Sequence, residues 1–297
     1  MDALWDALLY DTALVHGTTP MHGTAPTHDT APTGTDPAPV DRAVAEHVEH
    51  RQAPYGHAVG PFVVPDDALA KVATAFGRAG VGPVEVCAVN TSGAGGLTAL
   101  AARSFDDLHL GSVVSTLRDL DDLAGNAARV AMAARELTDE VTVYVEIPAG
   151  LGWQAAVEAV EAEGLSGLVR LPAASANPAP PGAWLELVRA YVEADLPFLL
   201  DGGALQPVTR EGPERPGVLN VLTALVGVID DVDHDDVAAL LADTSSAPAD
   251  SVAGWDDLLI GRVRRRLRGL GCSRPGELVT GLRRAGFLAG QGDPDSA

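Results

Sequence analysis

The sequence predicts an α/β protein whose parallel strands and covering helices close into a (β/α) barrel. Three observations lead there. Six short apolar, β-branched runs recur along the chain, at 61–65, 84–90, 109–117, 141–148, 167–172 and 197–201. Helical patterns at 66–78, 96–103, 120–137, 153–162 and 182–194 separate them. That alternation, at the length of a strand–helix unit, is the pattern of a parallel sheet with helical crossovers. Polar residues also collect where the runs end, and six such units in succession suit a TIM-barrel-like closure better than an open sheet. No G-x-G-x-x-G follows the first run, which argues against a dinucleotide-binding sheet.

In chain order, residues 1–15 place Leu4, Leu8 and Leu9 near one helical face with Trp5 beside them, and read as an amphipathic helix. Residues 16–40 change composition, with the near-repeats H-G-T-T-P, H-G-T-A-P-T and H-D-T-A-P-T. They hold too few large apolar side chains to offset their ordering entropy and read as a disordered insert. His16, His22 and His28 recur every six residues; repeat slippage explains this more simply than a metal-binding tract. A helix resumes at 41–51, and the barrel-like domain is assigned to 41–230. The remainder, 231–297, reads as a helical segment packed on the barrel, as a cap or in place of its last units. Its parts are a helix at 235–242 with Asp233 as N-cap, a polar loop at 244–251, a basic helix at 258–270 and a last helix at 275–285.

Composition excludes several functions. The chain has 297 residues, 46% hydrophobic, with 41 acidic against 20 basic residues and a net charge of −21. Such a length supports a sizeable core. Such a charge repels phosphate backbones and anionic lipids, so neither nucleic acid nor a membrane is an expected partner. The one dense basic stretch, R-V-R-R-R-L-R at 262–268, would pair with acidic neighbours in the same chain or in a second subunit, leaving a homo-oligomer open. Cys87 and Cys272 stand far apart and no C-x-x-C occurs, which argues against a structural zinc site. With no signal-like N-terminus and no apolar run of about 20 residues, the cytoplasm is the expected location.

Candidate functional residues lie at strand ends, where barrel enzymes place their working groups. The stretch 197–220 reads as a short strand, Asp201, a Gly-Gly turn, a loop carrying Gln206, and a helix beginning near Asn220. Alternation over 141–148 sets Thr142, Tyr144 and Glu146 on one face of their strand. If that face is inward, burial would raise the Glu146 carboxyl and suit a general base; a salt bridge with Arg170 one strand over is the structural alternative. Glu146 and Asp201 flanking Arg170 form the candidate catalytic set, able to hold a divalent cation or to divide acid and base roles. The loop N-T-S-G-A-G-G, with Asn90, Ser92 and Gly93, offers backbone N–H groups at a helix start, where an anion could bind; it lacks the Gly-Lys-Ser/Thr ending of a P-loop and is otherwise an ordinary turn. Asp66 reads as an N-cap. His109 starts a strand and His234 opens a helix, so a histidine zinc site or a Ser-His-Asp triad is not expected. The only lysine, Lys71, sits in a helix, which removes Schiff-base chemistry. No metal or cofactor follows from the residues, and the ligand class stays open.

The landmarks L-L-Y-D-T-A-L near the start, V-G-P-F-V-V-P at 59–65, V-E-I-P at 145–148, L-P-F-L-L-D-G-G-A-L-Q-P at 196–207, G-V-L-N-V-L at 217–222 and G-C-S-R-P-G-E-L-V-T-G-L-R-R-A-G-F-L at 271–288 occur in this order. As a set they resemble a bacterial and plant family of hypothetical proteins that look like (β/α) barrels. The resemblance covers most of the chain outside 16–40. It implies the fold and supplies no reaction. The family's Lys-x-Arg-Thr-Gly-Gly run falls on Leu168, Val169, Arg170, Leu171, Pro172 and Ala173, where only the arginine survives. Its Phe-Lys-Ala-Thr-Ala-Gly-Leu-His-His-Pro run falls on 198–207, here F-L-L-D-G-G-A-L-Q-P. Both lysines and both histidines are replaced. The chain thus reads as a small-molecule-binding protein or degenerate enzyme. The alternatives are a lyase, isomerase or hydrolase with a carboxylate base, with or without a divalent metal, and a structural or protein-interaction scaffold.

Overall fold

Eight parallel strands, rather than six, close the barrel in this computed structural model, which describes residues 1–16, 39–148, 150–171, 181–202 and 217–288. They are β1 (Leu9–Asp11), β2 (Val59–Pro65), β3 (Val84–Asn90), β4 (Leu108–Thr116), β5 (Thr142–Glu146), β6 (Ser166–Arg170), β7 (Phe198–Asp201) and β8 (Leu267–Cys272). Each pairs in parallel with the next, and β8 returns to β1 through Leu9↔Leu270, Tyr10↔Gly271 and Asp11↔Cys272. The six strands expected from the sequence are β2 to β7. Gln206 and most of the 16–40 insert lie outside the described residues.

The two added strands correct the reading of both chain ends. Residues 1–15 are not one helix: a single turn, Asp2–Trp5, precedes β1 and another, Ala13–His16, follows it. The basic helix stops at Arg266, and L-R-G-L-G-C continues as β8. Both strands were hidden for the same reason. β1 is three residues long, beside leucines spaced for a helix, and β8 carries two glycines after an arginine-rich helix. Neither has strong strand propensity, and both are held by the strands on either side. Residues 247–253, within and just past the expected polar loop, form a short helix, Ala247–Ala253.

Side chains sort by strand parity. Val63, Cys87, Val114, Tyr144, Leu168, Leu199 and Tyr10 form one apolar cluster, the filled interior of the barrel. Their alternates, among them Phe62, Val86, Val113, Val143, Val169 and Leu200, join the larger core between sheet and helices. Both faces of each strand are thus buried, as a parallel sheet requires. β1 is tied outward by a buried pair: His47 Nδ1, on helix Pro39–Gln52, lies 2.9 Å from Asp11 Oδ2, and both side chains are 1% exposed. Two arginines of the basic stretch pair with acidic residues of the same chain, Arg262 with Asp230 at 2.6 Å and Arg266 with Asp195. Among the described residues no helix is long and apolar enough to cross a membrane.

Candidate functional site

Four consecutive strands end on polar residues: Thr116 on β4, Glu146 on β5, Arg170 on β6 and Asp201 on β7. Parity explains why they converge. Val114, Tyr144, Leu168 and Leu199 lie two residues earlier and face the barrel interior, so the strand-end residues share that inward direction. Register aligns them, with Thr116 opposite Glu146 and Arg170 opposite Asp201.

Arg170 is the hub. Its Nε donates to Glu146 Oε1 at 2.8 Å and its Nη2 to Glu146 Oε2 at 3.0 Å, a bidentate fork. Its Nη1 donates to Asp201 Oδ2. Thr116 Oγ1 donates to Glu146 Oε2 at 2.6 Å. The side chains of Glu146 and Asp201 are 18% and 10% exposed and that of Arg170 is 40% exposed, so the guanidinium forms the open side of the array. Next along the sheet, Gly271 of β8 is glycine for a steric reason: a Cβ there would lie 2.7 Å from Asp201 Oδ1 and 3.1 Å from its Cα.

The electrostatics correct the general-base expectation. Burial acts to raise the Glu146 carboxyl, but the hydrogen bonds and charge of Arg170, with the Thr116 hydroxyl, outweigh it, and the pKa is lowered from its ordinary 4.5. Glu146 is therefore an ionised, weakly basic acceptor at neutral pH. The Arg170 guanidinium is shifted up, first by its hydrogen bonds to Glu146. Below this layer the barrel interior is apolar, and Leu168 and Leu199 pair directly across β6 and β7.

The other sequence candidates are placed elsewhere. Asn90, 3% exposed, has the opposite parity to Cys87 and organises its own loop: its Nδ2 donates to Gly93 O at 2.7 Å and Ser115 Oγ at 3.0 Å, and its Oδ1 accepts from Ser92 N at 3.1 Å. Ser92 is exposed, and Gly93 turns the chain with φ 64° and ψ −148°. Asp66 is not the N-cap; that helix starts at Leu69 after Ala68. Asp66 instead accepts from Thr91 N at 3.1 Å and Thr91 Oγ1 at 2.7 Å, joining two loops at the strand C-termini. Asn220 is fully buried in helix Val218–Ile229, and its Nδ2 donates to Leu240 O at 2.9 Å and Asp243 O at 2.8 Å. Those are the closing carbonyls of helix His234–Ala242, so Asn220 caps a helix end. Thr116 was missed because a strand-end threonine carries no distinctive signal.

A cavity of about 520 Å3 opens at the opposite end of the barrel, between helix Pro39–Gln52 and the starts of β2 and β3, with Asp6, Arg51, His57 and Glu85 on its walls. Arg51 there donates to Gly56 O and Val59 O, a structural tie at the face where barrel residues serve stability. Among the described residues no group of three or more His, Cys, Asp or Glu side chains is arranged to hold a metal ion. Compared with family models, with curated proteins and with solved structures, the chain matches none.

Proposed function

We propose that the protein binds a small polar molecule at the C-terminal mouth of its barrel, with Arg170 as the anchoring donor and Glu146 and Asp201 as acceptors. The observation that carries this reading is the three-residue ion array on consecutive strand ends. A purely structural pair would not need an arginine with two-fifths of its side chain in solvent at this position, where barrels present their sites. The lowered Glu146 carboxyl favours binding over proton abstraction. The leucines at 168 and 199 leave no amine for covalent chemistry beneath the array. On the proposal that the chain is a divergent member of the barrel family it resembles, it has kept the scaffold and exchanged the reactive groups for a binding site.

The test is a thermal-shift screen of the full chain against carboxylic acids, amines, sugars, sugar phosphates, nucleotides and divalent cations. Wild type is compared with Glu146→Gln and Asp201→Asn. A ligand that raises the wild-type melting temperature, with both variants losing the rise, supports the reading. A rise that both variants keep places the ligand elsewhere and overturns it.

A further inference from the structure

We infer that Thr12 completes the mouth site and that its ligand is a neutral, polyhydroxylated small molecule of the monosaccharide or polyol class; this rests on the binding reading above. On β1, Leu9 packs in the outer core and Asp11 bonds His47 on the helix side, while Tyr10 belongs to the interior cluster. Thr12 continues the ladder, its N–H on the Cys272 carbonyl at 2.9 Å, and so takes the inward parity of Tyr10. The ladder pairs Asp201 with Gly271 and Gly271 with Tyr10, so Thr12 stands one inward position beyond the register level of Asp201. Only β8 intervenes between β7 and β1, and Gly271, which lies between Asp201 and Tyr10, has no side chain to fill the space below Thr12. Two strand spacings, roughly 10 Å, separate the two strands.

Thr12 is 4% exposed, and its Oγ1 is buried without a hydrogen-bond partner. An unpaired buried hydroxyl is destabilising, and in a native structure such a group calls for a missing partner. A ligand in the mouth supplies one. The chemistry of the opposite wall selects its class. Two carboxylates surround one guanidinium, so the array is net negative and disfavours a further anion. An arginine has five N–H donors; three serve Glu146 and Asp201, and two have no partner among the described residues. The mouth thus presents carboxylate acceptors, guanidinium donors and, two strands over and one inward position higher, a hydroxyl. A ligand hydroxyl donates and accepts at once, and several on one carbon frame match this alternation.

The experiment titrates the full chain with D-xylose, D-glucose and myo-inositol, and with D-gluconate and ethanolamine as anionic and cationic comparators. Affinity is read by calorimetry and melting temperature. Wild type, Thr12→Val, Thr12→Ser and Arg170→Gln are compared. The expected result is a neutral polyol that stabilises wild type, a roughly three- to tenfold weaker affinity in Thr12→Val, the scale of one neutral hydrogen bond, and recovery in Thr12→Ser. Without ligand, Thr12→Val melts no lower than wild type, because the hydroxyl it removes has no partner to lose. A polyol response that Thr12→Val keeps in full while Arg170→Gln abolishes it overturns this inference alone. So does a response confined to gluconate or ethanolamine. A response that Arg170→Gln also keeps, or no response from wild type to any probe, overturns the mouth reading and this inference with it.

Discussion

At the residue scale, the Glu146–Arg170 fork carries both stability and the lowered carboxyl. Glu146→Gln replaces a charged acceptor by an amide and leaves Arg170 with Asp201 as its remaining anion. Because Arg170 is 40% exposed, solvent screening reduces the loss. Urea unfolding at pH 7 is expected to show about 1–2 kcal/mol of destabilisation. The pH dependence follows in sign. The folded carboxyl titrates below its ordinary 4.5, so its contribution is complete above that value and disappears as pH falls through the lower folded value. Wild type should lose stability over that acid window, and Glu146→Gln should lose less. The two thiols behave differently. Burial raises both Cys87 and Cys272 to about 12, and thiolate is the reactive form. In an absorbance assay with a thiol-reactive disulfide at pH 8, the folded protein should give almost no signal, and two equivalents should appear in denaturant.

At the element scale, β8 is the strand most sensitive to added volume. A Cβ at Gly269 would collide with the ring of Tyr10 and lie 2.7 Å from Cδ1 of Leu199, inside the filled barrel. Gly269→Ala is expected to cost about 1–3 kcal/mol or to prevent folding, read as a lower urea midpoint or as insoluble expression. Asn220 makes a second element-scale case. Asn220→Ala removes the donor from two carbonyls at the end of helix His234–Ala242, at a cost of about 1–3 kcal/mol for groups left unsatisfied in a buried setting. Hydrogen exchange should accelerate first in that helix. A uniform acceleration across the chain would show that the cap does not act locally. Strands β2 to β7 were legible because short apolar runs alternate with helical patterns at the length of a strand–helix unit. The Asp66 cap was misread because an aspartate at a strand end fits a cap and a loop clamp equally well in sequence. Only the nearby Thr91 chooses between them.

For the whole molecule, closure depends on the two strands that sequence patterning does not show. β1 and β8 are sequence-distant, and each completes the other's ladder. Deleting residues 1–12 would remove β1, expose an edge on both β2 and β8, and uncover the interior cluster beside Tyr10. The deleted chain should lose the single cooperative melting transition of wild type in circular dichroism and elute as aggregate. A sharp transition near the wild-type temperature would show that the remaining seven strands hold without closure.

By itself the amino-acid sequence determined the strand–helix alternation, the parallel sheet and the strand face that Glu146 shares with Thr142 and Tyr144; that this face is inward came from the structure. The sequence also brought Glu146, Arg170 and Asp201 into one candidate set. Those follow from local rules: the two-residue strand period and the chemistry of adjacent strand ends. The tertiary structure alone decided that the barrel has eight strands, that Glu146 is held ionised, that Asn220 is a cap and that Thr12 is left without a partner. The physical reason is contact between residues far apart in the chain. A three-residue strand gains its stability from neighbours more than 40 residues away, and a carboxyl's pKa is set by whichever charge the fold places beside it.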